Sequence, residues 1–319
     1  MSAALRVGVS ALFDPDDTPH ARTFLRAMAV ARNVIPGLGG VQWHFLDDGA
    51  NACRGADVAQ QMIDWEADLV IGHFSSDAAI GAAPLYQQAG IALLTPAATI
   101  DRLTAEHLNV FRLCPSDRHL ATDLTQWLSA RRWQTVHLQA DGSAHGQALV
   151  VAIGAALEPA GLCLVGEYEQ ADVEVFAGRL RSSREHWRAR RQAGSKRPLV
   201  LTDDAASPHL GRASADDRNT YVIGFGVPDD PPGNVIADAW HRSLFGVPPP
   251  TYYRESLLMF YVLSVLANTT RHREQLLDAL THTTFNTPLG AVRFDQGEHR
   301  GAFNRVWRLG PQGLTPALR

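Results

Sequence analysis

The sequence predicts an α/β protein of two doubly wound lobes, each around a parallel central sheet. The first sign is alternation. From Leu5 to Phe225, apolar runs of about five residues are followed by longer segments of helical spacing, the pattern of parallel α/β layers. The second is length, since 319 residues give room for about two ordinary domains. The third is composition: 45% hydrophobic against 19% charged residues supplies apolar material for sizeable cores.

Taken in order, the strand runs are residues 5–12, 41–46, 69–73, 91–95, 135–139, 163–168, 199–202 and 221–225. Each is short and rich in Val, Ile, Leu or aromatic residues, as strands covered on both faces are. The helices between them are read at 19–35, 56–66, 77–89, 118–130, 146–160 and 173–191. The last of these puts Phe176, Leu180 and Trp187 on one stripe and covers the rest with arginine. Beyond Phe225 the texture changes. Breakers at 228–233 (PDDPPG) and 248–250 (PPP) set off helical stretches at 235–244 and 252–267, and a third at 273–281 leads to a β segment over 287–309. There is no internal repeat and no low-complexity tract.

Charge and motifs exclude several functions. With 29 basic and 33 acidic residues the net charge is -4, which argues against a nucleic-acid partner. The basic run Arg179, Arg181, Arg184, Arg188, Arg190, Arg191, Lys196 and Arg197 is read as a solvated helix face, since no aromatic platform accompanies it. No apolar run approaches the roughly 20 residues of a membrane span. At the N-terminus Arg6 interrupts the apolar stretch, so the segment reads as a first strand and a cytoplasmic placement is expected; a leader encoded upstream would make it periplasmic. Cys53, Cys114 and Cys163 are too widely spaced for a disulfide framework or a zinc set. There is no P-loop, no strand-linked G-x-G-x-x-G, no nucleophile elbow and no H-E-x-x-H, so neither enzyme activity nor a metal or cofactor is expected. Asp47-Asp48 ends a strand and is read as a loop or capping pair rather than a magnesium site.

Two strand ends are suited to a small anion. Val70-Ile71-Gly72-His73-Phe74-Ser75-Ser76-Asp77 is a buried strand followed by hydroxyls where a helix begins, and one βα unit later comes Leu93-Leu94-Thr95-Pro96-Ala97-Ala98-Thr99. Ligands of open parallel sheets sit beyond the carboxyl ends of strands, and a helix N-terminus favours a carboxylate. Helix capping alone would also place Ser75, Ser76 and Thr99 there.

At these residues the sequence resembles the type I periplasmic-binding-protein family, in its leucine/isoleucine/valine-binding branch. The likeness runs over residues 70–104, Phe111-Arg112 and Pro115-Ser116-Asp117, and returns in 252–267 and in Asn286-Thr287-Pro288-Leu289-Gly290-Ala291-Val292-Arg293-Phe294-Asp295. It carries a V-I-G-x-x-x-S strand end, a tyrosine like Tyr86 and the T-P-A-A-T turn. The resemblance implies two Rossmann-like lobes, the second shortened: residues 1–116 with about 228–284, and residues 117–227 with about 285–319. It further implies that Ser76, Ala97 (through its backbone) and Thr99, with Ser75 beside them, hold a ligand carboxylate. The family's disulfide is not kept, because Ala50 and Ser75 occupy its positions. In the second lobe His145 stands where relatives often have tyrosine. Asp203 and Asp204 close a strand in the region where amino-acid-binding relatives place the acidic residue for the ligand ammonium group.

The function these readings imply is a non-catalytic receptor closing two lobes on an amino acid, amide or short carboxylate, acting as a cytoplasmic sensor with a regulatory protein as partner. The alternative is the substrate-binding component of an ABC importer, partnered by a permease. A biosynthetic accessory protein or enzyme on the same scaffold is a further alternative.

Overall fold

In β1 (Leu5–Ala11) apolar and small residues alternate, so Val7, Val9 and Ala11 are sealed on both faces while Gly8 lets Met62 and Val70 approach the backbone. The computed structural model describes residues 4–14, 19–226, 232–269 and 272–317, so the first four residues of the PDDPPG breaker and most of the 14–20 loop lie outside the described residues. Two units emerge. One comprises Met1–Pro15, His20–Pro115 and Pro228–Ala302; the other contains Ser116–Val227 and Phe303–Arg319.

In the first unit β1 is followed by α1 (His20–Val34), β2 (Val41–Asp47), α2 (Ala52–Asp64), β3 (Leu69–Ile71), α3 (Ser76–Gln88), β4 (Ala92–Thr95), α4 (Arg102–Glu106) and β5 (Val110–Arg112). The second unit holds α5 (Asp117–Ala130), β6 (Thr135–Ala140), α6 (Ala144–Leu157), β7 (Cys163–Leu164), β8 (Val173–Ala177), α7 (Leu180–Gln192), β9 (Leu199–Leu201) and β10 (Thr220–Phe225). The chain then returns to the first unit with α8 (Pro232–Phe245), α9 (Tyr253–Thr269), α10 (Arg273–His282), β11 (Phe285–Thr287), β12 (Gly290–Val292), β13 (Phe294–Asp295) and β14 (Glu298–His299). It ends in the second with β15 (Asn304–Gly310) and β16 (Gly313–Pro316).

The sheets share one plan. The first runs β13-β14-β5-β4-β3-β1-β2 and the second β16-β15-β10-β9-β8-β6-β7. In each, five parallel strands put the first strand between the second and third, and the flanking strands at the far edge include antiparallel pairs. That order creates a switch point beside the first strand, where successive connections leave to opposite faces and a crevice opens. The shortening of the second unit falls on its helix layer: β9 and β10 are joined by two single 3-10 turns, Asp203–Ala205 and Pro208–Leu210, with no strand lost.

Apolar burial holds each unit. Val58, Met62, Val70, Tyr86 and Leu93 cluster under α2 and α3. In the second unit Leu120, Leu124, Leu149, Ile153 and Val136 fill one face of the sheet, and Phe176, Leu180, Trp187 and Leu201 fill the other. Each fully buried large aliphatic side chain contributes about 1.5–3 kcal/mol.

The structure corrects three expectations. Residues 173–191 are a strand and a helix, because Val173–Ala177 is enclosed between β6 and β9; Phe176 belongs to that strand, and Leu180 and Trp187 alone mark the helix stripe. Strand β5 was missed because three residues carry no period. Residues 285–302 join the first unit rather than the second, because β14 pairs with β5 and the Glu298 carboxylate accepts from the Arg112 guanidinium.

Candidate functional site

At the switch point of the first unit, the end of β3 passes very close to β1. Gly72 has φ of 119°, and a Cβ there would lie 2.1 Å from the Ser10 carbonyl oxygen, so glycine is required. The chain then turns through His73 and Phe74 into α3, with Ser75 as N-cap. Ser75 makes no side-chain capping bond, and neither its hydroxyl nor that of Ser76 has a hydrogen-bond partner among the described residues. Both residues are buried, at 7% and 3% exposure. Capping therefore does not account for them. Two hydroxyls and the first N–H groups of a 13-residue helix sit together, an arrangement that favours an anion.

The neighbouring turn after β4 is arranged differently. Thr95 donates its hydroxyl to the His73 carbonyl at 3.3 Å, tying the two strand ends together. Its oxygen accepts from Ala98 N–H at 3.0 Å and from Ala97 N–H at 3.4 Å, so the Ala97 amide is only loosely engaged. Thr99 is buried beside them. Arg112, fully enclosed, donates to the carbonyls of Thr99 (3.0 Å) and Ile100 (2.8 Å) and to the Thr104 hydroxyl, with Glu298 as its counter-charge. It locks the turn that carries Thr99. Sequence reasoning assigned Arg112 no role; a cation inside the apolar run Val110-Phe111-Arg112-Leu113 was the available signal.

A second buried group braces the same place from behind. His73 Nδ1 lies 2.9 Å from Asp48 Oδ2 and 3.1 Å from Ser10 Oγ, while its Nε2 meets the Tyr86 hydroxyl at 3.1 Å. All four residues are sealed from solvent. Burial opposes ionisation of Asp48, yet the hydrogen bond and charge of His73, the Ala50 N–H and the Ser10 hydroxyl hold its carboxyl below the usual carboxylate range. Burial pushes the Tyr86 hydroxyl up, and the Asp48 charge adds to it. Asp48 thus serves the loop and strand ends, and Asp47 accepts from the Phe13 and Gly49 N–H groups.

In the second unit the corresponding switch point is filled from within. Asp141, just past β6, accepts from the Ser143 N–H and hydroxyl, the Arg179 N–H and the Ser182 hydroxyl. Burial would raise its carboxyl, but these four bonds keep it low. Gly178 is needed here, because a Cβ would lie 2.7 Å from the Asp141 side chain.

One turn away, the helix start of α6 and the 3-10 turn after β9 bring His145, Asp203 and Asp204 together, their nearest donor atoms all within 4.8 Å of one another. His145 Nε2 forms an ion pair with Asp203 Oδ1 at 3.4 Å. Burial works against a charged imidazole, but the charge of and hydrogen bond to Asp203, then the charges of Asp204 and Asp117, push His145 up to about 10. These donors lie close enough to share one cation, and at neutral pH the cation they hold is the imidazolium itself. A metal ion would have to displace that proton, since only neutral imidazole ligates. Asp117 was not foreseen in this group; it opens α5, behind the Ser116 cap.

Two α/β units of one strand order give the chain the fold of the type I periplasmic binding proteins, as superposition on solved structures shows. The profile of the family described as "Periplasmic binding protein" matches residues 35–185. A leucine binding protein from Thermotoga maritima superposes with a TM-score of 0.86 at 16% identity, covering 98% of both chains. A solute binding protein of an ABC transporter from R. palustris, solved in complex with benzoate, gives 0.83 at 14% identity over 98% of this chain and 95% of that one. An amino acid binding protein from Pseudomonas aeruginosa is 28% identical over 167 residues, 49% of this chain and 44% of the relative. A Leu/Ile/Val-binding protein homolog from Brucella melitensis is 29% identical over 120 residues, 37% of this chain and 33% of the relative. The matched stretch spans less than half the length of the curated relatives.

Proposed function

We propose that the chain is a non-catalytic receptor for a small carboxylate and serves as the substrate-binding component of an ABC importer. The observation that carries this reading is the pair Ser75 and Ser76, buried, with hydroxyls unpartnered among the described residues and set at the start of α3 beside the β1/β3 switch point. A hydrogen bond to a charged group contributes about 1.5–3 kcal/mol, so each hydroxyl is worth about 10- to 100-fold in affinity. Ala97 N–H and Thr99 lie on the adjacent strand end and extend the same donor set. Binding rather than catalysis is supported by the Ser10–His73–Asp48 group of the first unit. It is sealed, and Ser10 and Asp48 both approach the same imidazole nitrogen, so no base is poised against the hydroxyl. The solved structures of transporter receptors favour the importer reading.

The cytoplasmic sensor remains the second reading, favoured by the free thiols of Cys53, Cys114 and Cys163, which suit a reducing compartment. Titration calorimetry against a panel of carboxylates tests the receptor. Ser75→Ala/Ser76→Ala should weaken binding by at least about tenfold with the fold retained. Unchanged affinity in that double variant refutes the site. Fractionation of cells producing the protein from its natural gene separates the two roles: recovery outside the cytoplasm favours the importer, and cytosolic recovery the sensor.

A further inference from the structure

The outer face of α6 is not built for water. From Ala144 to Leu157 the helix has no Asp, Glu, Lys or Arg, and His145, its one titratable side chain, is buried. Leu149, Ile153 and Leu157 fill the core of the second unit, as the inner side of a surface helix should. The outer side, where charge normally sits, carries Ala144, Gln147, Ala148, Val151, Gly154 and Ala155, and Val151 is 71% exposed. Leu164, paired with Val136 at the sheet edge, points to the α6 side of the sheet and is 59% exposed. Gly154 is a separate sign. A glycine inside a helix weakens it relative to alanine, so it calls for a packing reason. Gly146 has one: a Cβ there would lie 2.5 Å from Asp141 Oδ1 and 2.8 Å from the Ala177 carbonyl oxygen. A Cβ at Gly154 would meet nothing within 4 Å among the described residues. A second helix laid across this face at close range supplies the missing reason.

We propose that this face joins two copies of the chain, α6 packing antiparallel on α6 across a two-fold axis at Val151. The proposal goes beyond the receptor reading and does not depend on it. A two-fold contact needs a surface that matches itself, and this one is symmetric about Val151. Antiparallel pairing sets Val151 against the second copy's Val151, Ala148 against its Gly154, Gln147 against its Ala155 and Ala144 against its Glu158. Charge selects the same arrangement. Glu158 is exposed at the C-terminal cap of α6, where its own helix dipole disfavours a carboxylate; the antiparallel neighbour brings an N-terminal turn to it, where the dipole favours one. Parallel pairing would set the two Glu158 side chains together. Small side chains on both helices permit an axis separation near the short end of the usual range, about 8 Å. Fourteen residues give a helix of about 21 Å. That contact is smaller than the roughly 800 Å² per partner of a stable interface, so the dimer is a weak one, forming at about 10–500 µM.

Sedimentation velocity of the full chain over about 5–500 µM tests it. The sedimentation coefficient of the wild type should rise with concentration toward that of a dimer. Val151→Glu sets two like charges on the axis and should stay monomeric throughout. Gly154→Ala should melt about 1–4 °C above the wild type, because nothing among the described residues opposes the methyl, yet associate about tenfold more weakly. Cross-linking places the axis. In a Cys53→Ser/Cys163→Ser background, which removes both exposed thiols, Val151→Cys should oxidise to a covalent dimer much faster than Gln60→Cys, an exposed position of the first unit. A wild type that stays monomeric at the highest concentration overturns the proposal. So does association that either Val151→Glu or Gly154→Ala leaves unchanged, and so does a Val151→Cys protein that cross-links no faster than Gln60→Cys. Should Val151→Glu fail to fold, the cross-linking comparison decides.

Discussion

Replacing Arg112 with methionine keeps the volume of the stem and removes the guanidinium that holds the Thr99 turn. The side chain is fully enclosed, and its loss strands the Thr99 and Ile100 carbonyls and removes the counter-charge of Glu298, which keeps only the Thr104 hydroxyl as donor. Breaking a buried ion pair by removing one partner costs about 3–5 kcal/mol. The Glu298 side chain is 21% exposed, so water takes up part of its charge and the expected loss lies near the lower end, about 3 kcal/mol. At an m value of about 2 kcal/mol/M, the urea midpoint of unfolding falls by about 1.5 M. Adding Glu298→Gln should return about 1 kcal/mol or more, since the stranded charge is then gone and the pair is coupled. A loss below about 1 kcal/mol, the range of exposed ion pairs, would refute the account of Arg112 as the brace of this turn.

Two further outcomes follow from buried titratable groups. Burial pushes Glu255 up to about 7 against the opposing Arg254 charge and its own backbone N–H, so the folded state holds a proton that the unfolded chain releases near 4.5. Stability is then lost as pH rises from 4.5 through about 7, and Glu255→Gln should be the more stable protein at pH 8 by up to about 3 kcal/mol, with no gain at pH 4.5, in urea titrations at both values. His145 runs through a higher window: its folded value of about 10 exceeds the ordinary 6.5, so its contribution is complete below 6.5 and disappears as pH rises through 10. The stability gap between wild type and His145→Gln should therefore narrow steadily between pH 7 and 10, and a constant gap would remove the ion pair from the account.

The alternation of apolar runs and helical segments was legible because strands covered on both faces leave no room for polar residues. What escaped was either too short or too distant. Three residues of β5 show no period, and the Val173-Glu174-Val175-Phe176-Ala177 strand merges with the arginine helix because Glu174 is paired with His186 and Arg190 of that helix, giving both elements a charged texture. Ser75, Ser76, His145, Asp203 and Asp204 could be singled out from strand-end chemistry and family likeness. Their setting could not. His73 and Asp48 are 25 residues apart and Arg112 and Glu298 are 186 apart, and no local pattern records which buried charge will meet which.

The shared strand order gives the molecule two versions of one nest for negative charge, and they are used differently. In the second unit the amide at the start of α7 and the hydroxyls of Ser143 and Ser182 are answered by Asp141, a carboxylate built into the chain. In the first unit the matching helix start ends in hydroxyls that no group among the described residues answers. A single acid group at that helix start would complete the pattern that Asp141 completes in the second unit.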